Sequence, residues 1–122
     1  MVTNQWAGSD GDIVAAATQA MGYAKVIGER SWGGVVGIDG RFDLVDGTSV
    51  TQPRYAGWYG SYGWGVENHG VDPDIVVTVS PEDWEADRDV QLDAAIAECL
   101  RQLDDKPAAT APELPGPAFD RC

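Results

Sequence analysis

Basic residues are scarce in this sequence. Eight Lys and Arg and one His face 20 Asp and Glu, so the formal net charge is −12 at pH 7. A chain of this charge repels nucleic acid and anionic lipid surfaces. Long apolar runs are also missing, since no stretch approaches the ~18 apolar residues of a membrane span. We therefore expect no nucleic-acid partner and no membrane partner.

Cysteine is nearly absent as well, with one at Cys99 and one at Cys122. Two cysteines do not make a disulfide framework, and Cys99 falls in a helical pattern where it is expected to pack as a small apolar residue. The opening stretch, "MVTNQ", has neither the basic nor the apolar segment of a signal peptide. These features are typical of a protein of the reducing cytoplasm, so we expect a cytoplasmic localisation. A single His without a cysteine cluster predicts no zinc site, and we expect no metal and no cofactor.

Glycine is abundant, with 15 in a chain of 122 residues, which indicates many turns. The length corresponds to about one domain. We predict one ordered unit over residues 1–104. Residues 105–122 are rich in proline and alanine and offer little that could form a core, so we predict a disordered tail there.

The apolar spacing predicts an α/β fold with short strands and two main helices. The helices are expected over residues 10–21 and 89–103, where apolar side chains recur at helical spacing. Short strands are expected over residues 25–28, 35–38, 48–51 and 74–79. The second strand is expected to close at Asp39-Gly40, and the last is the clearest because β-branched residues dominate it. The aromatic and glycine-rich residues 55–65 predict an irregular loop or an edge hairpin.

Ser9 stands at the start of the first predicted helix, within "AGSDGDI". A serine at a strand-to-helix corner exposes its Oγ and lies beside free backbone N–H groups, which suits a nucleophile. The same spacing suits a capping box, with Ser9 as the N-cap and Asp12 as its partner, and the two roles are compatible. For Asp12 itself we favour a plain electrostatic role at the helix N-terminus.

His69 is the only histidine, and a Ser9–His69–Glu67 triad is an obvious alternative. In an extended segment His69 and Glu67 share a face, yet a triad needs them at different distances from Ser9, which argues against it. The aromatics of residues 55–65 are compatible with a platform for a peptide or a sugar. We favour instead that they pack on neighbouring subunits or domains.

Four motifs follow one another in this chain: "AGSDGDI", "VIGERSWGGVVGI", "LVDGTSVTQP" and "GVENHGVDPDIVV". Their order and spacing, over about residues 4–103, resemble the C-terminal core domain of the tricorn proteases, within the tail-specific (C-terminal-processing) serine peptidases. The resemblance implies a fragment of an α/β spiral core related to the crotonase and Clp protease folds. It also implies peptide substrates and a homo-oligomer, because intact members of the family form hexamers.

The resemblance assigns roles to three residues. Ser9 is implied as the nucleophile, the Asp10 backbone amide as an oxyanion donor, and Glu67 as a carboxylate that orients the general base through an intervening upstream Ser. In the family that base is the His of a Ser-His pair from an upstream helical domain. The pair is expected before Met1, so we expect this chain to be a fragment or one piece of a split protein, inactive alone. A non-catalytic peptide-binding or assembly module derived from the same core is the alternative.

The other branch of the family uses a Ser–Lys dyad, with the Lys in a "(T/S)-F-G-K" turn. Aligned with that turn, the sequence has Ser31-Trp32-Gly33-Gly34, so Gly34 stands where the Lys would be. A Lys base must come within hydrogen-bonding reach of the nucleophile, and Lys25 lies in a different element. The tricorn branch therefore fits better.

Overall fold

The computed structural model describes residues 1–113 and 116. Within them the chain forms short strands and helices in a mixed α/β arrangement, as predicted. In chain order the elements are β1 Val2–Thr3, α1 Asp10–Ala20, β2 Ile27–Gly28, β3 Gly37–Asp43, β4 Ser49–Tyr55, a 3-10 turn Gly60–Tyr62, β5 Ile75–Val76, α2 Pro81–Glu85 and α3 Val90–Asp105. Both predicted main helices are present, with ends that differ by one or two residues.

The main sheet has three parallel strands in the order β1-β2-β5. Parallel neighbours require a crossover connection, and α1 supplies it between β1 and β2. β2 is central and buried. Val2 pairs with Ile27, and Ile27 pairs with Ile75. This sheet places the end of β1, and thus the start of α1, beside the segment that follows β2.

The strand predicted over residues 74–79 is wrong in length, since β5 covers only Ile75–Val76. The reason is its neighbour: β2 ends at Gly28, whose carbonyl accepts the last ladder bond from the Val77 amide (2.8 Å). Beyond Gly28 the residues after β5 have no partner strand in β2. The Val77 carbonyl accepts instead from a side chain, Gln91 Nε2 (2.9 Å). A β-branched run forms a strand only as far as it finds a partner backbone.

A two-stranded antiparallel hairpin, β3–β4, forms a second sheet. The predicted end of the second strand at Asp39-Gly40 is wrong, because β3 runs through both residues with a register irregularity between Asp39 and Phe42. Such a bulge absorbs an extra residue without ending the pairing. Asp39 also bonds across the hairpin to Arg54 (2.9 Å).

The core is small and made mainly of alanine and valine. Its buried members are Ala15, Ala16, Val26, Val35, Val66 and Val71. The apolar stripe of α3 lies outside it, since Leu92, Ile96 and Leu100 are about half exposed. Cys99 is likewise exposed, so the expectation that it packs as a small apolar residue is wrong. The reason is that Gln91, which is 6% exposed, is the residue of α3 that is buried.

After α3, residues 106–113 and 116 form no helix or strand. The rest of the predicted tail, residues 114, 115 and 117–122 with Cys122 among them, lies outside the described residues. In the part of the chain that the structure describes, no helix is both long enough and apolar enough to span a bilayer.

Asp74 fastens the start of β5 to β2. Its Oδ2 accepts from the Val26 amide (2.7 Å), and its Oδ1 lies 3.8 Å from Lys25 Nζ. Desolvation raises the pKa of Asp74, but the Val26 amide, Gln19 and Lys25 together lower it below its usual value. A carboxyl whose pKa is lower in the folded state stabilises the fold above its unfolded pKa. That stabilisation disappears as the pH falls through the folded pKa.

We predict that Asp74→Asn lowers the free energy of unfolding at pH 7 and that this difference closes under acid. The difference should narrow as the pH falls below about 3.9, the ordinary pKa of an Asp, and disappear as the pH falls through the lower folded pKa. Urea unfolding at a series of pH values from 3 to 7 measures the difference. A gap that stays constant down to pH 3 would contradict this assignment.

Candidate active site

Ser9 adopts a backbone conformation that is rare for a side-chain-bearing residue. It immediately precedes α1 with φ 53° and ψ −111°. Such conformations cost energy and persist only where the surroundings impose them. One such constraint is the Ser9 amide, which donates to the Gly34 carbonyl (3.1 Å). Ser9 thus lies at the entry to α1, as predicted, but no strand leads directly into it, because β1 ends at Thr3.

The capping-box alternative for Ser9 is wrong in this structure. Ser9 is the N-cap residue of α1, but its side chain makes no capping hydrogen bond. Its expected partner, Asp12, bonds elsewhere. Asp10 follows as the first residue of α1, so its N–H has no acceptor inside the helix. Within residues 1–113 no carbonyl outside the helix accepts from that amide either.

Asp12 has a structural role that sequence reasoning missed. Its carboxylate is fully buried, and Oδ1 accepts from Ser31 Oγ (2.5 Å) and from the Gly33 amide (2.8 Å). Ser31 Oγ in turn accepts from the Val71 amide (2.8 Å). Asp12 is therefore more than the charge at the helix N-terminus that we predicted. It is a buried hydrogen-bond acceptor that joins α1 to residues 31–33, and we call this link the buried tie. A signal was available, because Asp12 shares a helix face with Ala15, and a charge on a buried face needs partners.

Glu67 binds the backbone that follows Gly33 and Gly34. Its Oε2 accepts from the amides of Val35 and Val36, each at 2.7 Å. Within the described residues no donor contacts its Oε1. Residues 31–36 are thus fixed at one end by Asp12 and at the other by Glu67.

Ser9 and Glu67 line one cleft of about 470 Å³. The remaining lining residues are Trp32, Gly33, Gly34, Val36, Ile38 and Asn68. Trp32 covers Gly8 and Gly34, where a Cβ would lie 2.4 Å and 2.6 Å from its ring atoms. The structure therefore brings together two of the residues that the sequence singled out, on a rigid backbone frame.

His69 is not among the residues that line this cleft. Its Nε2 lies 2.7 Å from Asp72 Oδ2, and its side chain is exposed. Across residues 1–113 and 116, His, Cys, Asp and Glu side chains form no group of three or more that could hold a metal ion.

Gly33 lets two segments of the site approach each other closely. Gly33 has φ +86°, and a Cβ there would lie 2.4 Å from the Gly70 nitrogen. We predict that Gly33→Ala lowers the free energy of unfolding by about 3 kcal/mol, from backbone strain plus the clash. Gly47→Ala is the matched control, because Gly47 has φ +82° with nothing within 4 Å. It should cost only about 1 kcal/mol. Urea unfolding compares the two, and equal losses would show that contact at Gly33 is unimportant.

Comparisons with known proteins agree with the motifs. The model of peptidase family S41 matches residues 1–77. Tricorn protease homolog 1 of Streptomyces coelicolor is 60% identical over 114 residues, which cover 93% of this chain and 11% of that protein. A putative tricorn-like protease C-terminal subunit of Sulfurisphaera tokodaii is 48% identical over 105 residues, covering 86% of this chain and 12% of that protein.

The crystal structure of the tricorn protease superposes with a TM-score of 0.81 at 47% identity, covering 84% of this chain and 10% of that one. The chain thus spans about a tenth of the length of these relatives. The family model covers well over half of the chain, including Ser9 and Glu67. The chain therefore belongs to peptidase family S41, and within it the chain is similar to the tricorn proteases.

Proposed function

We propose that this chain supplies the acyl-accepting serine of a tricorn-type serine peptidase. Ser9 Oγ attacks the carbonyl carbon of a peptide bond, the Asp10 amide donates to the oxyanion, and Glu67 orients the general base. The observation that carries the proposal is the strained corner of Ser9 on a cleft shared with Glu67. A nucleophile on such a corner presents its Oγ and the following N–H to one reacting group.

The general base is proposed to come from polypeptide outside this chain. A serine hydroxyl needs a base within hydrogen-bonding reach. Among the described residues, His69 pairs with Asp72 and Lys25 lies beside Asp74, and neither lines the cleft. Glu67 fits an orienting role. Its Oε2 accepts from two backbone amides, which leaves Oε1 to accept from the hydroxyl of the Ser in the upstream Ser-His pair. The chain alone is then inactive as a protease.

The comparisons with longer relatives are consistent with the same proposal. It matches about a tenth of relatives that include a protein named as a C-terminal subunit. We propose that it acts as one piece of a larger, homo-oligomeric, cytoplasmic peptidase with peptide substrates. Its α/β core, residues 1–104, would form part of a crotonase-like or Clp-like spiral, followed by a tail over residues 105–122. A non-catalytic peptide-binding or assembly module is the second candidate, favoured because no His or Lys lies among the described residues that line the cleft.

Labelling with a fluorophosphonate serine-hydrolase probe tests the proposal. The purified chain alone should not be labelled, whereas addition of the upstream core and helical segment of a tricorn-type enzyme should restore labelling. Ser9→Ala should abolish the restored signal, and His69→Ala should leave it unchanged. Labelling of the chain alone that requires both Ser9 and His69 would instead establish a self-sufficient hydrolase. A complex that forms without labelling would favour the assembly module.

A further inference from the structure

Two highly exposed tryptophans flank a groove away from the Ser9 cleft. Trp6 follows β1 and is 83% exposed, and Trp84 lies in α2 and is 82% exposed. Both line a cavity of about 450 Å³. An adjoining cavity of about 480 Å³ shares Trp84, Val79, Asn4 and Gln91 with it. We call the two together the tryptophan groove, and it shares no lining residue with the Ser9 cleft.

Hydrogen bonds fix the backbone around the tryptophan groove. Gln91 is 6% exposed, and its side chain donates to the Val77 carbonyl (2.9 Å), which fixes the groove at the start of α3. Trp84 sits in a helix whose N-terminus is closed by a capping box between Ser80 and Asp83. The backbone that carries the walls is therefore fixed by hydrogen bonds, which lowers the entropy cost of binding.

The edges of the tryptophan groove are negative. Glu29, Asp87 and Asp89 line it, and Arg88, the one positive side chain among the described lining residues, pairs with Asp83 at 2.6 Å. Asp89 caps α3 through the Leu92 amide. Among the described residues no donor contacts the side chains of Glu29 and Asp87. Indole faces and uncommitted carboxylates on one groove both attract a cation.

We propose that the tryptophan groove binds an arginine or lysine side chain on an extended segment of another polypeptide. The cation would lie against the indole faces while Glu29 or Asp87 accepts its N–H groups. Charge complementarity supports this occupant, because a chain of net charge −12 steers basic partners towards itself. Exposed tryptophans are typical anchors of protein–protein contacts. The inference does not depend on any role for Ser9.

A pair of blocked pentapeptides, one with a central arginine and one with the neutral isostere citrulline, tests the proposal. Titration calorimetry and the indole N–H resonances of Trp6 and Trp84 report binding. The arginine peptide should bind at least about fivefold more tightly than the citrulline peptide. The affinity should fall as salt rises. Trp84→Ala and Glu29→Gln should each weaken the arginine peptide, whereas Trp58→Ala, at a 62% exposed tryptophan outside the groove, should not.

Equal affinity for the two peptides would overturn the proposal, because the groove would then recognise apolar surface rather than charge. Failure of the arginine peptide to bind would overturn it as well. Self-association that depends on concentration and is lost in Trp84→Ala, without peptide binding, would identify a second copy of this chain as the occupant. Circular dichroism of each variant separates loss of binding from loss of fold, and Glu29→Gln changes only a surface charge.

Discussion

Asp12→Ala is expected to lower the free energy of unfolding by about 3 kcal/mol, because it leaves two buried donors without an acceptor. Those donors are the Ser31 hydroxyl and the Gly33 amide, which both end on Asp12 Oδ1. The Ser31 hydroxyl also receives the Val71 amide, so the loss extends to the segment after Gly70. Urea unfolding of the purified variant, followed by circular dichroism, measures the effect.

Asp10→Ala is the matched control, since Asp10 lies in the same first turn of α1 but is exposed. Removing a carboxylate from the helix N-terminus should cost only about 0.5 kcal/mol. Asp12→Asn, which keeps an acceptor oxygen without the charge, should fall between the two. Similar losses in Asp10→Ala and Asp12→Ala would contradict the buried tie and return Asp12 to the helix-dipole role that its position in the sequence suggested.

Glu67 is expected to show separable effects on stability and on reaction. Glu67→Ala removes the acceptor of two amides and should lower the free energy of unfolding by about 2 kcal/mol. Glu67→Gln keeps an acceptor for the amides of Val35 and Val36 and should cost less than half as much. In the complemented enzyme, however, Glu67→Gln should slow fluorophosphonate labelling by about a hundredfold, since a neutral amide orients and stabilises a cationic base poorly.

The two readouts distinguish a positioning residue from a purely structural one. If Glu67 only holds residues 35 and 36, labelling rates should follow stability, and Glu67→Gln should react nearly as fast as the parent. The pH dependence of labelling adds a second check, because removing a negative charge near the base lowers the pKa of that base. An unchanged rate and an unchanged pH profile in Glu67→Gln would remove Glu67 from the proposed reaction.

Much of the local structure could be predicted from the sequence. The helices α1 and α3 follow from apolar spacing. The position of Ser9 at the start of α1 follows from the helical apolar pattern that begins just after it. Each of these features depends on interactions within a few residues, which the linear order of the chain contains.

The burial of particular side chains could not be read in the same way. Periodicity identifies the apolar stripe of α3, but it does not say that Gln91 is buried while Leu92 and Cys99 are exposed. Likewise the β-branched run around Ile75 indicates a strand, yet its two-residue length is set by where β2 stops. Packing partners decide both outcomes, and those partners are distant in sequence.

By itself, then, the sequence determined the helices, the acidic surface, the family and the residues to examine at the site, since motifs and periodicities are local properties. Only the tertiary structure decided that Asp12, Ser31 and Val71 form one buried chain of hydrogen bonds. It alone also decided that Glu67 accepts hydrogen bonds from the amides of residues 35 and 36 and lines the same cleft as Ser9. These contacts join segments that lie 19 to 40 residues apart. They exist because the parallel sheet and the crossover helix bring those segments together, and a buried carboxylate is stable only where such donors converge.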